Sequence, residues 1–257
     1  MKPDMPALGE TGPTKSDTSI LWFEAVTKDA EEVTMIKAIY DQFAEARRKM
    51  IEEQMAMRGI HDKAVLNAFG TVPRELFVDE ENMDKAYEDY PLPTLSGQTL
   101  SQPYMMALMT QLLELPADSQ AKVLEIGSGS GYQAAILAHM GHKVVSIERL
   151  QELADLAKEN LFKLTYADNV KILVRDGCLG CPEEAPFDGV IVTAAAPKIP
   201  KKLIEQTRIG GKIVIPVGDI FIQELLQVVK ISDDEIKINH SVGCRFVPLI
   251  GKDGFLE

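Results

Sequence analysis

Cysteine is scarce in this chain, three in 257 residues, an odd number and too few for a disulfide framework. The expected compartment is therefore a reducing one, the cytoplasm. No apolar run approaches the roughly 18 residues that a membrane-spanning helix needs, so no membrane is expected. The first twenty residues carry Pro, Gly, Thr and Asp in place of the apolar stretch of a secretory signal. Basic residues are outnumbered, 27 Lys and Arg against 39 Asp and Glu, which leaves a net charge of −12. Nucleic-acid binders usually present a basic surface, so nucleic acid is not expected as the main partner, although a local patch is compatible with this balance. The four histidines show no ligand spacing, and no metal is expected.

Apolar residues make up 46% of the chain, ample for one buried core with or without an appended segment. Residues 1–19, with Pro3, Pro6, Gly9, Gly12 and Pro13 among small polar residues, read as a disordered lead. Residues 24–58 turn helical, with Val33, Ile36, Ile39, Tyr40 and Phe43 three and four apart and Gly59 as the stop. A short helix at 62–69, a loop around Tyr90-Pro91-Leu92-Pro93 and a helix at 104–115 follow. After Pro116 the rhythm changes. Short apolar runs at 122–126, 143–148, 171–174, 189–193 and 212–217 alternate with helical stretches at 132–140, 150–164 and 200–208. That alternation predicts a parallel sheet covered on both faces. Runs at 224–231 and 245–250 lie close together without a helical crossover and predict an antiparallel edge, with the last strand reversed.

The sharpest local pattern is Val123-Leu124-Glu125-Ile126-Gly127-Ser128-Gly129-Ser130-Gly131, a buried strand running into a glycine-rich turn and then a helix. Such glycines let a backbone turn sharply and let a ligand approach its peptide groups. A dinucleotide fingerprint would need glycine at position 132, where Tyr132 stands, so a dehydrogenase is disfavoured. The arrangement resembles the first motif of Rossmann-like methyltransferases. Glu148 closes the second strand, placed either to accept hydrogen bonds from a ribose or simply as a solvated residue before a helix. Asp176-Gly177 ends the third, as an adenine contact or a plain turn.

The other half of the chain points to the acceptor. Val72-Pro73-Arg74-Glu75-Leu76-Phe77-Val78, Ala86-Tyr87-Glu88-Asp89 and Gly97-Gln98-Thr99-Leu100-Ser101-Gln102-Pro103-Tyr104-Met105 resemble the protein-L-isoaspartate (D-aspartate) O-methyltransferase family. So do Ala185-Pro186-Phe187-Asp188, Val192-Thr193-Ala194-Ala195-Ala196-Pro197 and Arg245-Phe246-Val247-Pro248-Leu249. The resemblance spans residues 46–251 in order. It implies a class I methyltransferase fold, a Rossmann-like, doubly wound, mostly parallel α/β sheet of seven strands. It also implies S-adenosyl-L-methionine as methyl donor, and damaged proteins and peptides carrying L-isoaspartyl residues as substrates, methylated on the free α-carboxylate for repair. Residues 46–257 would form that domain, with 1–45 an extension that is partly disordered and then helical.

Carried over residue by residue, the resemblance makes Ser101 the active-site serine. It places Gln98, Thr99, Glu125, Gly127, Ser128, Gly129, Gly131, Glu148, Asp176 and Gly177 around the cofactor, with Gln223 a weaker candidate beside them. Ser101 has a bland alternative as a helix cap ahead of Pro103. A carboxylate acceptor, with a pKa near ~4, is already ionised at neutral pH and asks for no general base. Two other functions stay open: a methyltransferase for another carboxylate or small molecule, and a non-catalytic adaptor that keeps the adenosyl pocket. Cys178-Leu179-Gly180-Cys181 lacks two further zinc ligands and reads as incidental, with a regulatory disulfide as the alternative. Trp22-Phe23 marks either a covering helix or a docking element.

Overall fold

The computed structural model describes residues 30–116 and 120–256; the leading segment 1–19 and Trp22-Phe23 lie outside them. The described chain opens with α1 (Ala30–Gln42) and α2 (Ala44–Lys49), followed by a π-helical stretch at Met50–Met55 and a 3₁₀ turn at Ala56–Arg58. Gly59 stops this arm at φ +93°, the left-handed backbone that commonly closes helices. Of the single helix expected over 24–58, residues 24–29 lie outside the described residues and 30–58 is segmented. Its apolar side, with Ile36, Phe43, Met50 and Met55, is nonetheless buried.

Helix α3 (Lys63–Thr71) begins where the Asp62 carboxylate accepts from the Ala64 and Val65 amides at 2.8 and 3.3 Å. Short 3₁₀ turns, then a two-residue ladder pairing Leu92–Pro93 with Thr99–Leu100, lead into α4 (Pro103–Leu112).

From Lys122 the chain alternates. The sheet contains β1 (Lys122–Ile126), β2 (Lys143–Glu148), β3 (Val170–Val174), β4 (Phe187–Val192), β5 (Thr207–Gly218), β6 (Gln223–Lys230) and β7 (Ile236–Cys244). Helices α5 (Tyr132–His139), α6 (Gln151–Lys163) and α7 (Lys201–Gln206) connect the early strands. Spatial order is 3-2-1-4-5-6-7, parallel from β3 through β5. Side chains alternate between two cores, as the two-residue period of a strand requires. Val123, Val144, Ile191 and Val214 face α3, α4 and α5, whereas Leu124, Val145, Val190 and Ile213 face Leu203 of α7 and Leu249. Burial on both faces is why these strands read as continuous apolar runs.

The edge departs from expectation in two ways. Strand β6 runs against β5 and β7 against β6, so the reversed strand is the sixth and the seventh points with the first five. The partner of β6 is also not 245–250 but Ile236–Cys244, whose mostly exposed, polar face leaves no apolar run to read. Residues 245–250 instead cross to the exit of β4, where the Ala195 amide donates to the Val247 carbonyl at 2.8 Å and the Leu249 amide to the Ala195 carbonyl at 2.7 Å.

A buried ion pair ties α2 to the turn after α3. Arg47 Nη2 lies 2.9 Å from Glu75 Oε1, with side chains 5% and 0% exposed. Arg47 Nε donates to the Tyr87 hydroxyl at 2.9 Å, and that hydroxyl donates to the second Glu75 oxygen. Removing one member leaves a charge buried without its partner, so Arg47→Met should cost about 3–5 kcal/mol. Replacing both, as Arg47→Met/Glu75→Gln, should recover part of that loss in urea unfolding. A double variant as unstable as the single one would show that the pair is not what holds this corner.

Candidate active site

The ordering of the strands places a switch point between β1 and β4, whose following connections leave on opposite sides, and ligands bind such sheets at that crevice. Gly127 follows β1 with φ +96°. Thr193, which follows β4, donates its hydroxyl to the Ile126 and Gly127 carbonyls at 3.0 and 2.8 Å. A Cβ on Gly127 would collide with that hydroxyl. Four residues on, Gly131 has φ +90°, and a Cβ there would sit 3.2 Å from the Ala157 side chain, so its absence lets the start of α5 lie on α6.

Around this turn lies a cleft that is open to solvent. Gln98, Thr99, Ser101, Gly127, Ser128, Gly129, Glu148 and Gly177 are brought together in its lining. The Glu148 carboxylate receives the Gly129, Arg149 and Leu150 amides at 3.1, 2.8 and 3.1 Å, which fixes it against the turn at the cleft wall. Ile147, Leu150, Leu153 and Leu249 give the cleft an apolar side. Ser130 Oγ and Tyr132 Oη, of residues lining the cleft, are buried with no hydrogen-bond partner among the described residues. An apolar slot for a flat base beside a fixed carboxylate for hydroxyls fits an adenosyl ligand.

Four expected residues stand outside the lining. Glu125 is wholly buried behind the turn, where the Ser146 hydroxyl donates to it and lies 2.6 Å from Ser128 Oγ. Burial pushes the Glu125 carboxyl up to about 8, against the pull of the Ser146 hydrogen bond, with the Glu148 charge adding to the rise. Gly131 acts through packing. Asp176 accepts from the Cys178 and Lys252 amides at 2.8 and 2.9 Å, so its carboxylate braces a turn and ties down the carboxyl-terminal segment. Gln223 donates to the Asp219 carbonyl at 2.6 Å and accepts from the Phe246 amide at 2.8 Å, which anchors the segment whose Val247, Pro248 and Leu249 do line the cleft.

Ser101 is not a helix cap. Helix α4 starts at Pro103, its cap position is Gln102, and no side chain bonds the free amides there. The Ser101 carbonyl is gripped at 2.7 Å by Arg74, a guanidinium with no exposure that also donates to the Ala86 carbonyl at 2.6 Å. Burial brings Arg74 down to about 10, so it stays charged at neutral pH. Neither Arg74 nor Thr193 had been assigned a role from sequence. Both sit in segments that carry the family resemblance, but a single side chain bonding a distant carbonyl leaves no periodic signal.

A second cleft, wide and open, adjoins the first, lined by Pro91, Gln102, Met105, Ile220, Cys244 and Arg245 among others. Thr99, Ser101, Val247 and Pro248 belong to both.

The model of the protein-L-isoaspartate (D-aspartate) O-methyltransferase family matches residues 45–254. The chain belongs to that family. Among its relatives, protein-L-isoaspartate O-methyltransferase 2 of Pelobacter propionicus is 51% identical over 210 residues, covering 81% of this chain and 92% of that one. The enzyme of that name from Methanopyrus kandleri is 48% identical, over 84% of this chain and 96% of its own. A solved protein-L-isoaspartate O-methyltransferase superposes with a TM-score of 0.71 at 29% identity, over 80% of this chain and 66% of that one. A Plasmodium falciparum structure described by the same activity, in complex with S-adenosyl-L-homocysteine, gives 0.69 at 27% identity, over 79% and 98%. The family match begins close to the start of α2 and takes in both clefts.

Two outcomes follow from the geometry of the carboxylates. Glu148→Ala should weaken S-adenosylhomocysteine binding by about 1.5–3 kcal/mol in calorimetric titration, the worth of hydrogen bonds to a charged group. Unchanged affinity would return Glu148 to a purely structural role. Glu125 retains its proton in the folded state between about 4.5, its ordinary value, and about 8, whereas the unfolded chain releases it. Its contribution to stability is therefore complete below pH 4.5 and is lost as pH rises through 8. Glu125→Gln should accordingly flatten the fall in Tm between pH 5 and 9. A variant that tracks the native slope would mean the carboxyl titrates normally.

Proposed function

We infer that Ser101 stands at the point of methyl transfer, and the observation that carries this is its place in the walls of both clefts. The reaction is transfer of the methyl group of S-adenosyl-L-methionine to the α-carboxylate of L-isoaspartyl residues in damaged proteins, the activity of the family. The donor supplies an electrophilic methyl group. The glycine turn and Glu148 hold one side of the narrower cleft, and Ile147, Leu150 and Leu153 line the other with apolar side chains.

The open cleft suits an acceptor that is already an anion. Among the described residues its lining holds no carboxylate, histidine or lysine, and Arg245 is the one charged side chain, a cation. The Cys244 thiol, pushed up to about 11 by burial, is no base at neutral pH. A hydroxyl or phenol acceptor would need its proton removed, and no group in this lining is fitted to do that. A carboxylate needs only to be held in line, and in this reading the Ser101 hydroxyl donates to it. Arg74 keeps that hydroxyl in register by holding the carbonyl of the same residue.

The domain we assign to this reaction is 46–257, with 1–45 as an extension whose described part, α1, lays Ile36 against the core. The compartment we propose is the cytoplasm, in keeping with free thiols at Cys178, Cys181 and Cys244. Among the described residues no helix is long and apolar enough to cross a membrane.

Ser101→Ala should lower kcat towards an isoaspartyl peptide at least tenfold, about 1.4 kcal/mol in the barrier. Tm and S-adenosylhomocysteine affinity should move little, because the side chain caps no helix. The assay is incorporation of labelled methyl groups into matched isoaspartyl and aspartyl peptides at saturating donor. Preserved kcat would remove Ser101 from the reaction, and equal labelling of both peptides would remove the isoaspartyl specificity.

A further inference from the structure

The hairpin joining β5 to β6 carries Ile220, Phe221 and Ile222, exposed by 55, 69 and 76%. Elsewhere among the described residues the exposed large apolar side chains stand singly, which is ordinary for a surface; three in a row are not. The tip is also braced. The Asp219 carboxylate accepts from the Phe221 and Ile222 amides at 2.7 and 2.8 Å, and the Asp219 amide donates to the Ile222 carbonyl at 3.1 Å. Below it, the Gly218 amide donates to the Ala196 carbonyl at 3.0 Å, joining the hairpin to the chain leaving β4. The three side chains are therefore displayed on a fixed backbone.

Their position is informative. Strand β5 is parallel to β4, so the hairpin emerges at the carboxyl edge, where the glycine turn lies. Ile220 lines the open cleft together with Ser101. We propose that Ile220, Phe221 and Ile222 form a subsite that binds apolar side chains flanking the isoaspartyl residue of an extended, unfolded substrate segment. This rests on the acceptor reading given above for the open cleft. Each residue of an extended chain advances about 3.3–3.6 Å, so a segment with its carboxylate at Ser101 draws its immediate neighbours along the Ile220 wall and past the tip. Side chains that are exposed only when a protein is damaged or unfolded are apolar ones, and an uncharged, pre-ordered apolar knuckle favours them at little entropic cost. A second copy of this chain is a poorer occupant, since three side chains fall short of the roughly 1,000 Å² a stable protein–protein contact buries.

The test uses the full chain, S-adenosyl-L-methionine and two isoaspartyl peptides that differ only in having leucine or serine on both sides of the isoaspartyl residue. The native protein should show a KM for the leucine peptide about tenfold below that for the serine peptide. Phe221→Ser/Ile222→Ser should erase that difference by raising the leucine-peptide KM, with kcat for both peptides and S-adenosylhomocysteine affinity within twofold of native. Equal KM values for the two peptides in the native protein, or a variant whose KM rises equally for both, would overturn the subsite and leave the acceptor reading standing. A native protein that methylates neither peptide would instead defeat the acceptor reading. A concentration-dependent dimer in sedimentation, lost in the double variant, would give the knuckle to a second copy and overturn the proposal.

Discussion

The site depends on how closely the ends of β1 and β4 approach. Thr193 puts its hydroxyl into the space that a Cβ on Gly127 would need, and shares its one proton between the carbonyls of Ile126 and Gly127. That contact sets the path of the turn, and the turn sets which amides face outward. Glu148, arriving on β2, then reads the Gly129 amide directly. Three strand ends are thus tied to one another at the cleft wall by hydrogen bonds of 2.8–3.1 Å. Preorganisation of this kind matters for a reaction that uses no acid or base, because alignment is the main thing left for the protein to supply.

The opposite wall is held differently. Arg74 is a buried cation with no carboxylate of its own; Glu75 beside it is taken by Arg47 and Tyr87. Its charge is met by carbonyls of Ala86 and Ser101, and its guanidinium lies 5.2 Å from the centre of the Tyr132 ring. Tyr132 lines the cofactor cleft at the head of α5. Each guanidinium nitrogen has an acceptor, the third being the Met106 sulfur at 3.5 Å, and a buried charge that relies on so few partners holds the Ser101 carbonyl firmly. The arm 30–58 contributes through Arg47, which stacks on Tyr40 at 3.6 Å and closes the network from beneath. The helices ahead of the sheet thus connect to the cleft wall through Arg47, Glu75, Tyr87 and the neighbouring Arg74 rather than by lining it.

Much of this was determined by sequence alone. Strands buried on both faces must be apolar throughout, so β1, β2 and β4 announced themselves, and the run from Val123 to Gly131 carried its own turn chemistry. The family resemblance placed Ser101, Gln98, Thr99 and Glu148, and all four line the cleft. Strand β7 stayed hidden because an edge strand with one wet face, such as Ile236–Cys244, needs no apolar run. Tertiary structure alone decided the rest. It turned Asp176 and Gln223 into braces for the segment 245–252, moved Glu125 out of the cleft and raised its pKa, and set Arg74 against a carbonyl 27 residues away. The reason is physical: periodicity and turn propensity are local and are written in neighbouring residues. Which polar atom meets which carbonyl across the fold depends on packing that no local stretch of sequence contains.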